Sequence, residues 1–169
     1  MIMVCPPTLK PKVILGFITS ATLLTLLVGS LAKVQWIALD LDIAARLPPP
    51  APYWHMVVAL MGLLMPILMR VWHRRQRLIC RILDAYLIVF IAQILSELIL
   101  TPIFLRGIAV IIGSLYSTFR LLQLWQSQTW VTKASHLPQW FTLFLWSLMA
   151  IWLINLLRFI LYRWPVLLS

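Results

Sequence analysis

Five stretches of mostly apolar residues, each about the length of a membrane-crossing helix, follow one another along the chain, at 13–32, 53–72, 82–105, 107–125 and 140–162. No other feature limits the possible folds so strongly. The hydrocarbon core of a bilayer is spanned by roughly 20 apolar residues in helical form. Inside it no water is present to satisfy backbone N–H and C=O groups, so each stretch is expected to form a helix. Composition agrees: 63% of residues are hydrophobic and 11% charged, against about half and a quarter in soluble domains. The mean hydropathy is +0.98.

The expected fold is therefore an all-α, polytopic integral membrane bundle, a single membrane domain over residues 1–169 with five transmembrane helices. The boundary between the third and fourth spans is the delicate one. Residues 101–107 must hold the turn, with Pro102 and Gly107 as breakers and Arg106 at the interface. A four-span version, with one of these two segments re-entrant or on the surface, is the alternative. Pro66 removes a hydrogen bond from the second span and is expected to kink it. The first apolar run follows Lys10 and Lys12 as in a signal peptide, but it is longer than the usual 7–15 residues of such segments, so it reads as an uncleaved span.

Orientation follows from the Lys/Arg bias of cytoplasmic loops. With the N-terminus inside, the inner side takes Lys10, Lys12, Arg70, Arg74, Arg75, Arg77, Arg81 and Lys133, with Arg120 nearby; the outer side takes Lys33, Arg46, Arg106, Arg158 and Arg163. The balance favours N-terminus inside and C-terminus outside. The same bias accounts for much of the net charge of +10, and no groove-reading motif points to nucleic acid. Cys5 and Cys80 would both face the reducing side, as free thiols.

The outer loop, 33–52, carries Asp40 and Asp42 and then a Pro tract, Leu47-Pro48-Pro49-Pro50-Ala51-Pro52, expected to be an extended spacer. Residues 34–47 are apolar enough for a short interfacial helix. Trp36, Trp54, Trp72, Trp125, Trp130, Trp140 and Trp164 fall near span ends, as an aromatic belt would place them. Trp146 and Trp152 lie inside the fifth span.

The chemistry-bearing residues are few. The inner loop, 70–81, is strongly basic; if it is helical, Arg70, Arg74, Arg77 and Arg81 share one face. With Arg75 they form a surface for anionic lipid head groups or an acidic partner, or serve only to set topology. Within the spans, ionisable residues are functional candidates by default. Asp84 and Arg120 are placed at similar depth and are expected to form an ion pair. Glu97 lies roughly 12 Å inward from the end of its span, counting about 1.5 Å per residue. Gln93 precedes it on the same face, and Asn155 and Arg158 of the fifth span are expected to join it in a polar cluster. That cluster reads as interhelical glue or as a proton- or cation-binding site.

Small residues at four-residue spacing mark helix contacts: Ala109, Gly113 and Ser117; Thr25 and Gly29; Gly16 and Ser20. The sequence contains no HExxH, GxSxG, Walker A or GxGxxG motif, and Asp40 and Asp42 alone carry no catalytic argument. No enzyme activity, metal site or cofactor is expected. The expected function is an accessory, assembly or stabilising subunit of a larger membrane complex. The alternatives are a small transporter or channel using Glu97, Gln93, Asn155 and Arg158, and a haem or chlorophyll carrier using His55, His73 or His136. Partners are expected to be the bilayer, anionic lipids at the basic loop and proteins of a complex. The membrane is expected to be a prokaryotic inner membrane or an internal membrane such as the thylakoid.

Overall fold

Each apolar stretch forms a helix in the computed structural model, which describes residues 6–42, 52–133 and 137–169. A single 3-10 turn, Pro7–Leu9, leads into α1, Pro11–Lys33. Pro11 opens α1 because its missing N–H falls among the donors a first turn leaves unpaired anyway. Helix α2 covers 52–72 in three pieces: Pro52–Ala59, a π turn Leu60–Leu64, and Met65–Trp72. Then come α3, Arg77–Phe104, and α4, Ile108–Lys133. Helix α5 begins as Gln139–Arg158 and passes through a second π turn, Phe159–Arg163, into Trp164–Leu167. The described residues contain no strand. Helices α1, α3, α4 and α5 are long and apolar enough to cross a membrane, and the apolar part of α2, Met56–Trp72, is shorter.

Both π turns end two residues before a proline, Pro66 and Pro165. Proline cannot donate to the carbonyl four residues earlier, and the helix loosens by one residue where that bond is missing. Pro102 behaves differently from its expected role as a breaker: α3 runs through it to Phe104. The break falls at Leu105, whose left-handed φ of 67° reverses the chain.

Helix α4 is the centre of the bundle, packed against α3, α5 and α1. It is the most polar of the four long helices and also the most buried. The two properties go together, because Ser117, Arg120, Gln123, Ser127 and Gln128 find no partners in lipid and are all buried within the protein. Phe17 of α1 stacks on Phe119 of α4 with ring centroids 3.9 Å apart. Helix α4 continues eight residues beyond the expected end at 125, which puts Arg120 near its middle, roughly 18 Å from either end at about 1.5 Å per residue.

The segment 34–42 is not the interfacial helix expected over 34–47; residues 43–47 lie outside those described, as does most of the Pro tract. Gln35 takes a left-handed φ of 59°. The N–H groups of Val34, Gln35 and Trp36 turn back onto the last carbonyls of α1, at Ser30, Ala32 and Leu31. That closure ends the helix and competes with continuing it. The chain then crosses the bundle end, where Asp40 N–H donates to Leu167 O at 2.9 Å and Leu41 O accepts from Gly107 N–H at 2.7 Å. A Cβ on Gly107 would stand 2.6 Å from Leu41 Cα, so only glycine permits this approach.

Candidate functional site: a caged arginine and a basic rim

The bundle core is built around a cation. Arg120 of α4 is fully buried. Its guanidinium carbon lies 3.9 Å from the ring centroid of Trp152, 4.4 Å from that of Phe90 and 5.9 Å from that of Tyr86. Nη2 donates to Val89 O at 3.4 Å, whereas Nε and Nη1 make no hydrogen bond among the described residues. Three aromatic faces thus do the work usually done by a carboxylate. Desolvated cation–π contacts are worth about 2 kcal/mol or more.

The cage is held by the kink of α2. In a regular helix Gly62 O would accept from residue 66, but Pro66 has no N–H. Tyr86 Oη fills the place, donating to Gly62 O at 2.8 Å, and itself accepts from Trp152 Nε1 at 2.8 Å. Gly62 matters sterically as well, since a Cβ there would meet the Phe90 ring at 3.3 Å and Trp152 at 3.5 Å. One chain of contacts therefore joins α2, α3, α4 and α5.

The expected pair of Asp84 with Arg120 does not form. Asp84 instead accepts from Arg70, at the end of α2, through Nε and through Nη2 at 3.4 Å. Arg120 sits too deep, because α4 is longer than its apolar stretch. The expected cluster of Glu97 with Asn155 and Arg158 is also divided. Glu97 accepts from Gln93 Nε2 at 2.5 Å, one turn back on the same helix. Asn155 donates to Ser117 Oγ and accepts from Trp54 Nε1, both at 3.2 Å, tying α4, α5 and α2 together. Arg158 lies 5.0 Å from the Trp54 ring. No described hydrogen bond or ion pair joins Glu97 to Asn155 or Arg158.

Residues 70–81 do not make one helix. Trp72 ends α2, residues 73–76 turn, and Arg77 begins α3. The single arginine face is thereby lost, yet Arg74, Arg77 and Arg81 come together on the rim of a crevice between α1 and α3, while Arg75 stands outside it. Next to this rim Thr8 Oγ1 donates to Gln126 Oε1 at 2.8 Å, and Gln123 Nε2 donates to Thr8 O at 3.2 Å, so α4 anchors the turn that precedes α1.

Of the histidines, His73 caps α2, with Nδ1 3.2 Å from Met69 O and its ring 4.6 Å from that of Trp140. His136 and the His55 side chain lie outside the described residues. Among the described residues no group of three or more His, Cys, Asp or Glu is placed to hold a metal.

Trp152 is the residue most easily missed in the sequence, where it reads as a mid-span side chain packing or facing lipid. The signal for it is position: a Trp far from both interfaces needs a partner for its N–H. Trp146, six residues earlier, faces outward. Comparison with family models, with curated proteins and with solved structures gives no match.

Proposed function

We propose that the chain is a non-enzymatic accessory, assembly or stabilising subunit of a larger membrane complex, with its N-terminus on the cytoplasmic side of a prokaryotic plasma membrane or an equivalent internal membrane. Gly16 carries the reading. Four of the five glycines receive a close neighbour: Gly29 the Phe104 ring, Gly62 the Phe90 ring, Gly113 the Phe159 ring and Gly107 the Leu41 backbone. Gly16 meets nothing within 4 Å, and Ser20, one turn on, is exposed beside Leu23, Leu24 and Leu27. In membranes, small residues on a helix face are where another helix approaches. A vacant position of this kind, in a bundle that fills the others, supports a partner helix.

The test is gentle-detergent purification from the native membrane at natural abundance, with native sizing and mass spectrometry. Stoichiometric recovery with one defined complex is expected, and Gly16→Leu should lose that complex while the isolated protein stays folded. A lone small species from wild type would reject the reading.

A second reading, a small transporter, draws on Glu97, a carboxylate within a span whose hydrogen bond goes to an amide and not to a cation. It requires Glu97→Gln to abolish a proton- or cation-coupled flux in proteoliposomes at undiminished protein level. Unchanged flux, or no flux in wild type, removes it.

A further inference from the structure

Residues Leu9, Pro11, Ile14, Leu15 and Ile18 form one wall of a crevice of about 580 Å³, and Ala85 and Ile88 of α3 form part of the other. Its mouth is charged: Arg74, Arg77 and Arg81 line it, with Cys80 and Asp84. A volume of a few hundred Å³ or more is that of a small-ligand pocket. The depth is informative too. From Arg77 to Ile88 the α3 face descends roughly 16 Å at about 1.5 Å per residue, close to half of the roughly 30 Å hydrocarbon core. The crevice is thus basic at one end and apolar below, over a length comparable with one leaflet.

The charge at the mouth has no internal counterpart. Lys10, Lys12, Arg70, Arg74, Arg75, Arg77 and Arg81 gather at this end, and Asp84 is the only acid with them. Its carboxylate is engaged by Arg70, which leaves the three rim arginines without an ion-pair partner among the described residues. All three are exposed, so a head group can reach them directly.

We infer that this crevice is a binding site for one anionic glycerophospholipid, its phosphate on Arg74, Arg77 and Arg81 and an acyl chain along Ile14, Leu15, Ile18 and Ile88. Charge complementarity selects the head group, and the apolar wall selects a lipid over a free phosphate or an acidic peptide. The inference does not depend on the accessory-subunit reading, because it concerns the purified protein alone.

The test uses the full-length protein in nanodiscs containing equal phosphatidylcholine and phosphatidylglycerol, released for native mass spectrometry. One phosphatidylglycerol per chain should be retained in preference to phosphatidylcholine. Combined Arg74→Gln, Arg77→Gln and Arg81→Gln should lower that retention roughly a hundredfold, as follows from about a fivefold effect for each basic residue at the membrane surface. Arg75→Gln, removing a charge outside the crevice, should change it far less. Should the triple variant fail to fold, Leu15→Trp fills the apolar wall with the arginines intact and should also reduce retention. Excess glycerophosphate or an acidic peptide should not displace the lipid. Equal retention of both phospholipids, equal loss with Arg75→Gln, full retention in Leu15→Trp, or displacement by glycerophosphate or the peptide would each overturn the proposal.

Discussion

Arg120 sets the residue-scale energetics. A buried charge is costly unless its surroundings replace water, and replacing such a group by an apolar side chain of similar size is often neutral or stabilising. Arg120→Met is therefore expected to leave the thermal midpoint in detergent unchanged or raised. Trp152→Ala removes the nearest aromatic face and the N–H donated to Tyr86, and it should destabilise by about 3–5 kcal/mol. Thermal unfolding followed by tryptophan fluorescence separates the two, and a large drop for Arg120→Met would show that the cation itself holds the helices together. Glu97→Gln replaces a carboxylate whose hydrogen bond stays within its own helix. Its cost should stay within about 1 kcal/mol, measured by the same melt.

At the scale of elements, the kink of α2 and the cage are one unit. Tyr86→Phe leaves Gly62 O without its donor and Trp152 Nε1 without its acceptor. A loss of about 1–3 kcal/mol is expected for such buried, unpaired groups. Pro66→Ala restores a backbone N–H at the position that would serve Gly62 O, so it should recover part of that loss in the double variant. A double-mutant cycle measures this, and strict additivity would separate the kink from the tyrosine. The loop 34–42 depends on a different contact. Gly107→Ala drives a Cβ into Leu41 and should cost about 1–3 kcal/mol. Hydrogen exchange should rise over 38–42 while the α3–α4 core stays protected.

For the whole molecule, the arrangement of charge decides orientation. The basic end contains the starts of α1, α3 and α5 and the ends of α2 and α4; on the five-crossing reading, in which the shorter α2 crosses with the four long helices, Ser169 lies on the opposite side from Lys10. In a Cys5→Ser, Cys80→Ser background, Ser169→Cys should react with a membrane-impermeant maleimide added outside intact cells. Protection there, with reaction only after permeabilisation, would invert the topology or reduce the number of crossings. Lipid and partner helix are then expected on different parts of the surface: the lipid in the α1–α3 crevice, the partner on the open Gly16 face of α1.

The helices were legible in the sequence because an apolar run is a local property; four of the five runs form helices long enough to cross a membrane, and that of α2, Met56–Trp72, is shorter. The concentration of positive charge at 70–81 was equally local. What joins to what was not. Asp84 is satisfied by Arg70 and not Arg120 because a reversal at residues 73–76 brings the end of α2 beside the start of α3. Glu97 turns to Gln93 along its own helix, and Asn155 reaches Ser117 and Trp54. Tyr86, Phe90 and Trp152 become a cage only because α3, α4 and α5 pack at the same depth against a kinked α2. Hydropathy is a sum over a window, whereas a hydrogen bond or a cation–π contact depends on rotation and depth to within an ångström or two. Those two quantities are settled only when the helices pack.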